Sequence, residues 1–300
     1  TKRQGIIAFQ NAFHGRTLGS QMIGGLPDLK DWIVNPDPEI FQVPFPDGFW
    51  TEDTSFELFE KSIKELNINP DNVCGVIVEP FQGANVEFLP VEYAQKLREW
   101  TTQHKALMVY DEVQSGFCRT GKKFGFQLYD VEADIISLGK GISGSLPISA
   151  TVARKEIMDV FPPGTMTSTH TGNPLSCAAA LKTIEIYEEE RLWERAARLG
   201  EKIFEPSVQD LVANHDIVGV GHAKGLIGGI QIVKPGTKTP MKQWAYEINQ
   251  RIIEKGVMVF APVGRATIKM APPLIIEEDA LKEALSVFDE AIGEIEKEKA

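Results

Sequence analysis

The sequence predicts an α/β fold: a mostly parallel sheet with helices on both faces, followed by a smaller α+β unit. Three observations predict it. Short apolar runs alternate with amphipathic stretches through the first half of the chain, the pattern of strands joined by crossover helices. Two of those runs stop at a charged residue near glycine, as strands do where they reach a ligand-binding edge. Beyond the middle of the chain the composition shifts to short strands and two amphipathic helices.

The elements follow in order. Gly5–Phe9 reads as a strand that begins almost at once after Thr1. A chain entered in mid-domain looks like this, so sequence before Thr1 is expected. Gly75–Val78 is a second strand, stopped by Pro80. Pro90 to His104 carries helical periodicity, with Tyr93, Leu97 and Trp100 on one face. Leu107–Tyr110 and Ile135–Leu138 are further strands. Ile148–Ala153 and Arg154–Val160 read as a strand and a short helix. Pro174 opens the longest helical stretch, Leu175 to about Phe204, where Glu/Arg/Lys pairs dominate the later half. Then come strands at Ile217–Val220, Leu226–Val233, Val257–Phe260 and Thr267–Met270, with helices at Met241–Glu254 and Glu278–Lys297. The expected division is residues 1–188 and 189–300, joined through the long helix.

Composition narrows the function. The chain has 300 residues, 43% hydrophobic, and a net charge of −11. An acidic surface argues against a nucleic-acid partner. No apolar run approaches the ~18–20 residues of a membrane span. Cys74, Cys118 and Cys177 are too few and too scattered for a disulfide framework or a zinc site, so a reducing, cytoplasmic setting is expected. The histidines show no metal-ligand spacing; His215 and His222 lack a third partner.

The candidate chemistry sits at the two strand ends. Asp111 closes the run Leu107–Tyr110, and Lys140 stands between Gly139 and Gly141 after Ile135–Leu138. Alone, Lys140 reads as a solvated loop lysine. Together, a carboxylate and a lysine at one sheet edge suit pyridoxal phosphate: the lysine forms a Schiff base with the aldehyde and the carboxylate keeps the pyridine nitrogen protonated. Phe13-His14-Gly15 after the first strand offers an aromatic face. The hydroxyl-rich run Thr165–Thr171 before Asn173-Pro174 is either a helix cap or a phosphate site. Gly219-Val-Gly221-His-Ala-Lys-Gly225 echoes a dinucleotide fingerprint, which needs a helix after it; Leu226–Val233 reads as strand instead.

These segments together resemble the class III (ornithine and ω-amino acid) aminotransferases of fold-type-I pyridoxal phosphate enzymes. Five motifs occur in family order: Ala12–Thr17, Val78–Gly83, Asp111–Gly121, Asp134–Gly141 and Ser168–Pro174. The resemblance implies a seven-stranded-type sheet and an amino donor and a 2-oxo acid as substrates. It makes Lys140 and Asp111 catalytic. It assigns the cofactor to Phe13, His14, Glu79, Asp111, Val113, Gln114, Lys140 and Thr169, the last given in trans across a homodimer, or a tetramer built from it. It places Lys269 where the family carries an arginine for the substrate carboxylate, and Arg119 near the substrate. No metal is implied. The family's phosphate loop lies upstream of its Phe-His-Gly segment, where this chain holds nothing. Alternatives are an amino-acid epimerase or decarboxylase on the same cofactor, an inactive truncated fragment, and a nicotinamide dehydrogenase built on Gly219–Gly225.

Overall fold

The computed structural model describes residues 1–299. Eight strands belong to the first part of the chain: β1 (Gly5–Phe9), β2 (Ile40–Val43), β3 (Val73–Val78), β4 (Phe81–Gln82), β5 (Glu87–Phe88), β6 (Leu107–Asp111), β7 (Ile135–Leu138) and β8 (Ala150–Ala153). Six of them form one sheet in the order β2-β1-β3-β6-β7-β8. The first five run parallel and β8 joins antiparallel. The sheet thus has six strands among the described residues, not seven, with β2 and β8 at its edges.

The strands read as apolar runs because both faces are covered. Ile7, Phe9, Val76, Val78, Met108 and Tyr110 are buried. After α1 (Leu18–Ile23), the crossover helices α2 (Glu57–Glu65) and α3 (Val91–Gln103) lay Phe59, Tyr93 and Trp100 against one another edge to face. The β4–β5 hairpin stands just beyond the carboxyl end of β3.

Asp134 sets the far end of the β6–β7 pair. Its carboxylate accepts from Met108 N at 2.8 Å, Arg98 Nη1 at 2.7 Å and Arg154 Nη2 at 3.0 Å. Burial would raise its pKa, but the Met108 amide and the two guanidinium groups win and hold it below the usual range. With that end fixed, Asp111 pairs with Ser137 in register.

After α4 (Lys155–Met158) the long helix expected from Leu175 to Phe204 is broken. α5 (Pro174–Glu189) stops, Arg191 adopts φ +49°, and α6 (Leu192–Leu199) starts afresh. A left-handed residue cannot continue a right-handed helix. Residues 200–204 form a wider π turn before α7 (Glu205–Asn214). Pro206 lacks the N–H that would close a regular turn there.

The second part holds the three-stranded antiparallel sheet β11-β10-β9, made of β9 (Val218–Lys224), β10 (Ile227–Ile232) and β11 (Thr267–Met270). It packs with α7, α8 (Lys242–Glu254) and α9 (Glu278–Lys299), the longest continuous helix. Val257–Phe260 is not a strand: it pairs with no neighbour, and Met258 is 95% exposed. Residues 219–225 run up β9 and turn back into β10, so no helix follows the glycines and the dinucleotide reading fails.

Two large apolar cores result among the described residues, with two small clusters beside them. One gathers Ile7 to Val131, the other Leu192 to Ile295 with Cys118. They meet backbone to backbone. Leu226 N donates to Arg119 O at 2.8 Å, and a Cβ on Gly225 (φ +60°) would fall 2.5 Å from Gly121 N. Gly225→Ala is therefore expected to cost about 2–4 kcal/mol of unfolding free energy, read by urea denaturation, from overpacking and backbone strain together.

Candidate active site

β1, β3, β6 and β7 are neighbours in the sheet, and each delivers functional residues at its carboxyl end. The chain leaves β1 for β2 on one side and returns as β3 on the other, a switch point that opens a crevice. Phe13 and His14 follow β1, Glu79 follows β3, Asp111 ends β6 ahead of Val113 and Gln114, and Lys140 follows β7.

Three buried titratable groups gather at these strand ends. Asp111 Oδ2 lies 2.7 Å from His14 Nδ1, and Asp111 Oδ1 accepts from Val113 N at 3.0 Å. Glu79 accepts from Phe13 N at 3.1 Å and Gly83 N at 3.2 Å. Burial works against charge on His14, but Asp111 and Glu79 outweigh it and raise its pKa. Burial pushes Glu79 up to about 7, against the pull of His14 and with the push of Asp111. His14 Nε2 is buried without a partner. Glu112, next to Asp111, faces away: it accepts from Ser115 Oγ, Gly125 N and Phe126 N at 2.6–2.9 Å, and burial raises its pKa.

Lys140 is exposed and takes φ +43°, a left-handed conformation rare for a side-chain-bearing residue. Its flanking glycines serve close packing: a Cβ on Gly139 would lie 3.3 Å from Val113, and one on Gly141 would lie 3.1 Å from Phe117. Tyr187 holds the loop by donating to Gly141 O at 2.7 Å. Lys140 lines a cavity of about 500 Å³ together with Phe13, Gly83, Gln114 and Lys269. A Cβ on Gly83 would lie 2.0 Å from Gln114 Oε1, so a side chain there would displace the Gln114 amide.

Lys269 comes from the other core, on β11. Its Nζ lies 3.4 Å from Gly83 O and 5.6 Å from the centre of the Phe260 ring. Burial, helped by Lys140 and opposed by Glu79, lowers its pKa to about 8. It is not a solvated strand lysine.

Two expected residues stand elsewhere. Arg119 does not line the cleft: its guanidinium donates to Leu226 O at 3.3 Å and to Pro272 O, tying the two cores together. Nothing in its local sequence marks that it lies at a junction. Thr169 lies in the continuously exposed segment 158–175, away from this chain's cavity.

Sequence reasoning missed Glu87, a buried acid on β5. Burial, with Asp47 nearby, pushes it up to about 9, and burial lowers the pKa of His222, 3.1 Å away. Both shifts favour the neutral forms. A raised carboxyl means that the folded chain holds the proton more tightly than the unfolded one. Stability is then full below pH 4.5 and falls as pH rises towards about 9. Glu87→Gln, neutral throughout, is expected to flatten that decline, measured as urea midpoints at pH 5 and pH 9. Among the described residues, no group of three acidic, histidine or cysteine side chains could hold a metal ion.

The model of the Aminotransferase class-III family matches residues 1–292. A probable 4-aminobutyrate aminotransferase of Bacillus subtilis is 32% identical over 96% of this chain and 69% of its own length. A leucine/methionine racemase of Thermococcus litoralis is 33% identical over 99% and 69%. An amine transaminase from an uncultivated Pseudomonas species, solved in a PLP-bound form, superposes with a TM-score of 0.89 at 28% identity, over 98% of this chain and 70% of that one.

Proposed function

This chain belongs to the class-III aminotransferases, which use pyridoxal 5′-phosphate, and from that premise we propose how its own residues carry amino transfer between an amino donor and a 2-oxo acid. The observation that carries the proposal is Lys140 lining a cavity with Phe13 and Gln114, at the strand end next to the one that bears a buried carboxylate–imidazole pair. The residues fit the cofactor. Asp111 keeps acceptor capacity beyond its two bonds, His14 Nε2 is without a partner, and Gly83 leaves Gln114 room beside the cavity.

When bound, the cofactor supplies an electron sink for charge developing on the substrate carbon. Asp111, oriented by His14 and Val113 N, would keep the ring nitrogen protonated. Phe13, its backbone fixed by Glu79, and Val113 would hold the ring, and Gln114 would hydrogen-bond it. Lys140 would anchor the cofactor, and its Nζ would move the proton to and from the substrate carbon. Lys269 receives the substrate carboxylate as a point charge. Its charge fades as pH rises through about 8, so KM for the 2-oxo acid is expected to climb above that pH, approaching tenfold per unit. A pH series of initial rates checks this.

Residues 1–188 form the cofactor-holding unit in this reading and 189–300 the smaller unit, supported by the two separate cores. A homodimer that shares its sites is supported by the exposed run 158–175, with Phe161, Met166 and Leu175 outward, and by Leu181 and Ile184 on α5. Thr169 of one copy then binds phosphate in the other. The three cysteines are unpaired, which supports a reducing, cytoplasmic setting. No described helix is long and apolar enough to cross a membrane.

The test is to supply an amino acid and a 2-oxo acid with pyridoxal phosphate and follow the new 2-oxo acid. Its formation supports transamination. Loss of optical activity with no new 2-oxo acid would replace that reading with racemisation, the activity named for the Thermococcus relative.

A further inference from the structure

Four polar side chains, Gln82, Asn85, Gln231 and Thr267, lie where the two cores meet beneath the cleft, each at most 1% exposed. They form one connected chain. Gln82 Nε2 donates to Gln10 O at 2.9 Å, at the end of β1. Asn85 Nδ2 donates to Gln82 Oε1 at 3.0 Å. Gln231 Nε2 donates to Asn85 O. Thr267 Oγ1 lies 2.9 Å from both Gln231 Oε1 and Ala84 O. The Gln231 amide has one consistent orientation, since flipping it would set its oxygen against the Asn85 carbonyl. The single Thr267 proton is therefore shared between two acceptors.

Burying so many polar groups gains little stability, because each leaves water and becomes a liability if its partner is lost. Such a chain fixes relative position instead. What it fixes is visible in the register. Thr267 pairs with Gln231, and Lys269 pairs with Gly229. Two residues apart on one strand, Thr267 and Lys269 project from the same face. Thr267 meets the β4–β5 turn at Ala84 O, and Lys269 meets it at Gly83 O. Gly264 closes the arrangement: a Cβ there would lie 2.3 Å from Ala84 O.

We propose that Thr267, locked by the buried Gln82–Asn85–Gln231 chain, is the positioning residue that holds Lys269 over the Gly83–Ala84 turn and so sets where a substrate carboxylate is received relative to Lys140. This rests on the role given to Lys269 above. Valine at 267 keeps the shape and removes the hydroxyl.

The test uses the intact chain with Thr267→Val and Thr267→Ser. The first readout needs no activity: the pH midpoint for acetic anhydride labelling of Lys269, followed by peptide mass. The parent midpoint is expected near 8. Thr267→Val should move it up by a unit or more, and Thr267→Ser should restore it. The second readout is kinetic. KM for a 2-oxo acid should rise at least tenfold in Thr267→Val, while KM for an amine lacking a carboxylate stays put and Lys269→Met removes any further effect of the valine. Should Thr267→Val fail to fold, Gln231→Met carries the same expectations. An unmoved midpoint, or equal losses for both substrates, overturns the proposal. If the parent transfers no amino group at all, the midpoint still decides the positioning role separately.

Discussion

Lys140→Ala is expected to lower the turnover of amino transfer by about 10²–10⁴-fold through lost proton transfer alone. The loss of covalent anchoring adds to it. The left-handed backbone at 140 makes alanine no harder to accommodate than lysine, so the circular dichroism spectrum and thermal midpoint should hardly change. Borohydride treatment with pyridoxal phosphate should fix a pyridoxyl mass on the Lys140 peptide of the parent and leave the corresponding peptide of the variant unmodified. A variant that turns over at the parent rate removes Lys140 from the chemistry.

Asp111→Asn is expected to reduce turnover on the order of 10²–10³-fold, the scale of removing one preorganised charge partner from a site shielded from water. An amide keeps the shape and can still accept from Val113 N, but it cannot balance a protonated ring nitrogen. It also withdraws the hydrogen bond that raises the pKa of His14. Glu79 loses the upward push of Asp111, but a His14 that gives up its charge also relaxes the larger downward pull, so the Glu79 titration should not fall below about 7. Difference infrared spectra of the parent and variant carboxyl bands would register that second effect apart from the rate.

The parallel sheet was legible because apolar runs and helical periodicity are local signals. Asp111 and Lys140 stood out because each follows such a run directly. What was not legible depends on geometry that only the fold creates. The polar look of residues 185–195 reads as a continuous helix, and nothing local marks the left-handed turn at Arg191. The run Val257–Phe260 has strand composition, but a strand needs a neighbour with free backbone groups. Arg119 sits four residues from the Gln114–Ser115 pair, yet its reach is spent on Leu226 and Pro272 across the junction. Glu87 and Gln231 look like ordinary strand polar residues until burial shows otherwise. Lys269 was readable as a strand lysine and, through the family resemblance, as a stand-in for an arginine; its contacts with Gly83 O and the Phe260 ring were not.

The junction at Gly225 has a mechanical consequence. Where side chains separate two bodies, rotamer changes absorb small displacements. Here main chain rests on main chain at Gly121, Gly200 and Gly225, with no such slack. One wall of the cleft bears Lys140 and the other bears Lys269, and this stiff joint sets the gap between them. With Lys140 and Lys269 in the roles proposed above, the cleft is a caliper: the distance from amine to carboxylate in an accepted substrate is set at a joint where a single added methyl group finds no room.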